Sequence, residues 1–392
     1  MLTLQHCLYL LPEIFIGAWI TILLLYGIIF SKIHQGKFTQ QIKLTQLAIT
    51  ILLFTVVILS WQAININEKL IFNYFTIDPI TIIIKIIVLL TSMIILWLSI
   101  DRYIIEKEII IEYPILILIA TLGMMLLVSS NELIVLYLSL ELISLTSYVL
   151  AGLNVKSEKS TEAGFKYFIL GSLNSGILLL GMAVIYAITA ETNLTNIGYY
   201  VTYASDDKLA LEVAAGMILF GFLFKLAAAP FHSWAPDVYD GSNTIITAFF
   251  TIVPKIAILY TLISILFGPF LAIYSDLNII IQLSIILCII IGCITGLNQT
   301  KMKRLLAYSA ISHVGMILLG ILPGTILSIQ TSIIYVIIYI VMSVNIFAIL
   351  LSIFKNSTIY ITELAGLSRI NPLLFSIKAD FLWWIIPRRD HP

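Results

Sequence analysis

The chain has 392 residues, 60% hydrophobic and 11% charged, with 21 basic and 21 acidic side chains giving zero net charge, and its mean hydropathy is +1.08. A soluble domain carries about 25% charged residues, so a water-soluble enzyme or binding domain is excluded. Neutrality by itself names no partner; lipid is expected around the chain and nucleic acid is not.

Apolar runs long enough to cross a bilayer, about 20 residues each, occur near 8–30, 43–64, 79–100, 113–130, 131–152, 166–190, 210–229, 244–267, 277–297, 304–322 and 327–354. Their length, and the lack of ten-residue alternation, predicts helices rather than barrel strands. The fold class read from the sequence is therefore an all-α polytopic membrane protein of about eleven transmembrane helices. Loops after the first, third, fifth, ninth and eleventh runs hold thirteen basic residues: Lys32, Lys37, Lys43, Arg102, Lys107, Lys156, Lys159, Lys166, Lys301, Lys303, Arg304, Lys355 and Arg369. The opposite loops hold two, Lys69 and Lys208. Basic loops stay on the inner side, which places the N-terminus outside.

In chain order, the first run contains Glu13 and is too long for a cleavable signal, so it reads as a first span. Cys7, Cys288 and Cys293 lie in or beside apolar runs without metal-ligand spacing, which argues against disulfides and zinc. Lys85, near the start of the third run, is expected to reach the interface by snorkelling. Glu132 opens the fifth run at the interface. Glu141 stands at that run's centre, too deep for a short carboxylate to reach water, where a charge costs about 3 kcal/mol on insertion scales. The polar stretch 191–208 reads as a loop with a short interfacial helix carrying Tyr199, Tyr200 and Tyr203.

The seventh run is interrupted. In FKLAAAPFHSWAPDVYDG, Pro230 and Pro236 each remove a backbone donor. Unwound backbone at membrane depth is tolerated where it is buried in protein or lines a hydrated cavity. A broken helix of this kind is a pointer to ion pathways. The plainer reading is a helix that ends at the interface at Pro230, and Lys225 five residues earlier weighs against it. Lys225 is expected to pair with Glu141 if their helices are neighbours. Such a pair at ~4 Å is worth about 4 kcal/mol at an effective dielectric of 20, close to what burying both charges costs. The alternative is a purely structural ion pair. His232 is expected to cap the broken helix, with proton relay as the alternative. Lys255, twelve residues into the eighth run, and His313, amid Tyr308, Ser309 and Ser312, extend a line of ionisable groups sideways. Gly292 with Gly296, and Gly171 with Ser175, read as helix-packing faces. No phosphate loop, His pair or catalytic triad is present, so no cofactor (flavin, nicotinamide, haem or iron–sulfur cluster) is expected on this chain.

The segments GFLFKLAAAPFHSWAPDVYDG, TAFFTIVPKIAILY, LYLSLELISLTSYVL, TEAGFKYFILGSLNSGILLLG and GLNQTKMKRLLAYSAISHVGMILLG resemble the antiporter-like membrane subunits of proton-pumping NADH:quinone oxidoreductase, respiratory complex I. DVYDG, and Leu140 where sister subunits carry Trp, favour the subunit 2 branch. The resemblance implies a fourteen-helix fold of three leading helices and two inverted five-helix repeats, with a broken helix at Pro230. It assigns 1–112 to the leading helices, 113–267 to the first repeat and 268–392 to an incomplete second one. It also implies that Glu141, Lys225, Lys255 and His313 carry protons, that the partners are other membrane-arm subunits, and that the location is the mitochondrial inner membrane, or a bacterial plasma membrane. SNTII stands where the family has a proline-containing turn. LAGLSRINPLL resembles the approach to the family's second broken helix, after which the chain reads DFLWWIIPRRDHP. Either the reading frame is truncated or a second chain supplies the last helices. Two other functional readings remain open here: a subunit of a multi-chain cation/proton antiporter, and a structural spacer between pumping neighbours.

Overall fold

The computed structural model describes residues 9–31, 37–65, 70–71, 74–106, 112–203, 207–353 and 360–366. Cys7, Lys32, Lys69, Lys107, Lys355, Arg369 and the segment 370–392 lie outside the described residues. The described residues form α1 (Leu11–Ser31), α2 (Lys37–Asn65), α3 (Pro79–Glu106), α4 (Tyr113–Val128), α5 (Leu133–Ala151), α6 (Glu158–Thr189), α7 (Leu194–Tyr203), α8 (Lys208–Lys225), α9 (Trp234–Gly241), α10 (Thr244–Phe267), α11 (Tyr274–Leu297), α12 (Met302–Ile321) and α13 (Ile326–Ile353). Much of this sequence is β-branched, which in water would favour strands. In hydrocarbon, each backbone group needs an internal partner, and the helix supplies one locally.

Among the described residues, eight helices are long and apolar enough to cross a membrane; α1 and α4 contain shorter apolar stretches. With the interrupted pair α8–α9, they make up the eleven spans expected. Two short strands, β1 (Leu70–Ile71) and β2 (Thr76–Ile77), pair antiparallel with Leu70 opposite Ile77. They close the turn between α2 and α3, and Thr76 N–H donates to Ser129 O at 2.8 Å. The loops sort to two ends. Residues around 75, 130, 132 and 193 are bridged at one end, and Lys301 and Tyr360 at the other. The charge bias makes the second end the inner one. The expected interfacial helix is α7, whose Tyr199 and Tyr203 are exposed.

α10 is the hub. It packs against α3, α4, α5, α8, α9, α12 and α13, and 83% of its membrane window is buried. A helix that is apolar on every side belongs in such a position, and this one carries Lys255 into the interior. By contrast, α5 keeps one stripe, Ile134, Leu138, Leu145 and Val149, open to lipid or a neighbour.

Lys85 corrects an expectation. It does not snorkel: it is buried, with Nζ 2.5 Å from Glu13 Oε1 on α1. A carboxylate reaching across from α1 gives its ammonium a partner inside the protein, so the side chain need not reach water.

The expected Gly292 contact is a true close approach. A Cβ there would stand 2.9 Å from Ser312 N and 3.0 Å from Tyr308 O, both backbone atoms of α12. We expect Gly292→Val to force α11 and α12 apart and destabilise the fold by about 1–3 kcal/mol, measured as a lower thermal midpoint in detergent with Gly176→Val, where a Cβ meets open space, as control.

Candidate functional site

The break between α8 and α9 organises the site. α8 ends at Lys225, and residues 226–233 run as turns, buried from Leu226 to Ala229, in which Ala227 has φ +59°. The backbone groups freed there find partners from specific side chains. Ala229 N–H donates to Cys288 Sγ at 3.0 Å, and Ser284 Oγ donates to Ala229 O at 2.8 Å. Trp234 Nε1 donates back to Phe224 O at 3.0 Å, and the Trp234 ring stacks on Tyr167 with centroids 4.4 Å apart. Cys288 and Ser284 lie one turn apart on α11. The sequence reading missed both: a Cys in an apolar run carries no signal that its sulfur will accept from an unwound backbone 59 residues away.

Lys225 occupies the last turn of α8, at the negative end of the helix dipole, which favours a cation. Its ammonium donates to Ser144 Oγ on α5. The expected contact ion pair with Glu141 is not formed; Glu141 is within electrostatic reach of Lys225 but is not among the ion pairs of 4.0 Å or less. The reason is helical geometry. Ser144, three residues on, points inward, whereas half-buried Glu141 stands between that inner row and the exposed stripe of Leu138 and Leu145. A hydroxyl thus receives Lys225, and the carboxylate faces the subunit's edge.

Beyond the break, Lys255 Nζ is buried without a hydrogen-bond partner among the described residues. It lies 5.5 Å above the centre of the Tyr339 ring, within the range of a cation–π contact. Pro254, just before it, cannot donate to Phe250 O; Tyr239 OH donates there at 3.4 Å instead. Tyr339 OH donates to Thr251 O at 3.2 Å. His313 Nδ1 is 2.9 Å from Tyr335 OH, and its ring is 5.2 Å from that of Tyr339. Thr251, Ser309, His313, Tyr339 and Ser343 help line a cavity of about 20 Å³, room for one water with several polar neighbours.

His313 therefore meets tyrosines of α13, not all the hydroxyls expected around it. Ser309 does line the cavity, but Ser312 Oγ turns back to Ser309 O of its own helix, the usual sink for a serine without a better partner. His232 is also corrected. The N-cap of α9 is Ser233, which makes no side-chain cap bond. The His232 ring has a buried Nδ1 with no hydrogen-bond partner among the described residues, and its contribution to α9 is a carbonyl that accepts Ala235 N–H.

At the inner end, α9 is clamped by charge. Asp237 bonds Lys166 at 3.0 Å and also Arg304; Asp240 bonds Lys301 at 2.5 Å. With Lys159 and Glu162 these groups surround a polar cavity of about 240 Å³. Burial pushes the Asp237 carboxyl up, but Lys166 and Arg304 outweigh it and hold the group below its usual range.

Residues 130–383 match the family model described as NADH:quinone oxidoreductase/Mrp antiporter, TM. The chain is 39% identical to NADH-ubiquinone oxidoreductase chain 2 of Marchantia polymorpha, over 94% of this chain and 76% of that one. It is 40% identical to NADH-quinone oxidoreductase subunit N of Pelagibacter ubique, over 93% and 76%. Among solved structures, a chain of respiratory complex I from Thermus thermophilus superposes with a TM-score of 0.75 at 28% identity, over 93% of this chain and 75% of that one. A chain of the Mrp complex from Dietzia sp. gives 0.78 at 20% identity, over 98% and 71%, a likeness of fold alone. The chain belongs to the antiporter-like family of membrane subunits that NADH:quinone oxidoreductases and Mrp antiporters share. Within it, the likeness to chain 2 and subunit N agrees with the branch that DVYDG and Leu140 favoured.

Two predictions arise from this geometry. Cys288→Ala leaves the buried Ala229 N–H without an acceptor, and we expect a loss of about 1–3 kcal/mol, seen as a lower thermal midpoint that Cys288→Ser, which keeps an acceptor, largely recovers. For Asp237 the folded carboxyl titrates below the unfolded one, so its contribution to stability is complete above the unfolded range and disappears as pH falls through the folded one. Acid should loosen α9, measured as a pH-dependent change in Trp234 fluorescence that Asp237→Asn removes.

Proposed function

We propose that this chain is a membrane-arm subunit of an NADH:quinone oxidoreductase and contributes to proton translocation, with Glu141, Lys225, Lys255 and His313 as the proton-handling groups. NADH oxidation and quinone reduction belong to other subunits, and this chain supplies no redox group. Its proposed neighbours are other membrane-arm subunits. The proposed location is the mitochondrial inner membrane, in keeping with an isoleucine-rich composition.

The observation that supports this reading best is the state of Lys255. A positive charge at the centre of a membrane helix costs about 3 kcal/mol or more, whereas a cation–π contact returns about 0.5–2 kcal/mol. Lys255 has no carboxylate or hydroxyl partner among the described residues to make up the difference. Lys255 thus lacks the compensation given to Lys85 and Lys225, and His313 with its water-sized cavity lies near it.

The geometry supports one sequence of events. Glu141, at the edge of the subunit, responds to a charge on a neighbouring chain. Its carboxylate acts on Lys225 through space and through Ser144, one helical turn away. Drawing the ammonium toward α5, or releasing it toward the break, changes the field at Lys255 on the other side of the Cys288-pinned turns. Lys255 then exchanges its proton with water held among Thr251, Ser309 and His313, and Tyr335 fixes which His313 nitrogen is free.

Lys225→Ala and Glu141→Gln in the assembled complex should lower proton pumping and coupled turnover together, by about ten-fold or more for a group that relays a proton directly. Oxidation of NADH by artificial acceptors serves as the assembly control. Unchanged protons per electron in a fully assembled Lys225→Ala complex refutes this reading.

A further inference from the structure

The leading helices hold a charge pair that this line leaves unused. Glu13 on α1 and Lys85 on α3 are in contact at 2.5 Å with side chains 4% and 3% exposed. The second carboxylate oxygen, Glu13 Oε2, is buried and has no hydrogen-bond partner among the described residues.

The pair lies in the outer half of the membrane. Lys85 is six residues into α3 from its outer end at Pro79, about 9 Å at 1.5 Å per residue. Gln62 Nε2, near the outer end of α2, donates to Tyr9 O at 3.3 Å and sets the depth at which α1 begins. α3 packs along α10, where Lys255 stands twelve residues before the outer end at Phe267, about 18 Å deep on the same scale. The pair is thus roughly two helical turns nearer the outer face than Lys255, on the helix that packs against Lys255's own.

Packing alone does not select such a pair. Apolar side chains of similar volume hold helices together as well or better than a buried ion pair, and each charge in hydrocarbon is costly. Among the described residues, Oε2 is left without the partner that a merely structural pair would supply. It is a proton-binding atom that can be filled without breaking the Oε1 contact to Lys85.

We propose that Glu13 is a proton-exchange residue of the outer half-membrane, held in place by Lys85, which takes up protons that leave the Lys255–His313 region and passes them to the outer side. This rests on the translocation reading above. In the step, a proton carried by water forms an O–H bond at Glu13 Oε2, giving a neutral carboxyl beside a still-charged Lys85. That bond then breaks toward outer-side water, and its electron pair returns to the carboxylate. No electron is transferred.

The test uses the complete NADH-oxidising complex in vesicles. In the shape-preserving double variant Glu13→Gln/Lys85→Met, protons pumped per electron should fall several-fold in assembled complex. Full pumping overturns the proposal. Glu13→Asp keeps the charge pair and serves whether or not the double variant assembles. The infrared difference spectrum between oxidised and NADH-reduced complex should contain a carboxyl C=O band that this variant shifts, and an unshifted spectrum overturns the proposal. Lys225→Ala is measured in parallel. If Lys225→Ala pumps fully, the translocation reading fails. If pumping is lost there but complete in the double variant, the Glu13 proposal alone fails.

Discussion

The structure depends on how unwound backbone is satisfied in hydrocarbon. Between Lys225 and Trp234 the chain gives up its helical hydrogen bonds, and without water an orphaned amide or carbonyl costs several kcal/mol. The thiol and hydroxyl of α11 and the indole of α9 meet those groups at Ala229 and Phe224. That arrangement lets α8 stop inside the membrane. A helix end there is the negative pole of the helix dipole, which favours an ammonium in its last turn. The break and the placement of Lys225 are therefore one device: the prolines that interrupt the helix also create the negative end that steadies its final lysine.

The three membrane lysines are compensated unequally, and the inequality is informative. Lys85 has a carboxylate, Lys225 a hydroxyl and a helix end, and Lys255 an aromatic face. Attraction to an anion is the strongest of these at low dielectric and a cation–π contact the weakest. The stiffest pinning is thus in the leading helices, and the proton held with least support is at the hub. Pro254 adds to this. By freeing Phe250 O it brings Tyr239 against α10, next to the segment where Thr251 receives Tyr339. The backbone ahead of Lys255 is thereby held by hydroxyls from two other helices.

The charges at the inner end serve a different purpose from those in the interior. Asp237 and Asp240 are bonded to Lys166 of α6 and to Lys301 and Arg304 at the start of α12. Partly exposed ion pairs contribute little stability singly, but this set joins the second half of the broken helix to both of its flanking helices. Movement of α9 is therefore coupled to α6 and α12, and the inner cavity of about 240 Å³ lies at that junction.

Much was legible in the chain itself. Run length and hydropathy determine eleven spans, because a bilayer sets one length scale for every crossing helix. Pro230 with Pro236 determines the break, since proline's missing donor acts locally whatever surrounds it. The identities of Glu141, Lys225, Lys255 and His313 stood out because hydrocarbon makes any ionisable residue conspicuous. Tertiary structure alone decided who meets whom. Lys225 went to Ser144 and not Glu141 because three residues along α5 rotate a side chain from the subunit's edge to its interior. Lys85 found Glu13, His313 found Tyr335, and Cys288 became a backbone acceptor. Each of these is a contact between helices far apart in sequence, set by rotation and depth in the bundle. A one-dimensional pattern records which groups are costly to bury, but not which neighbour relieves the cost.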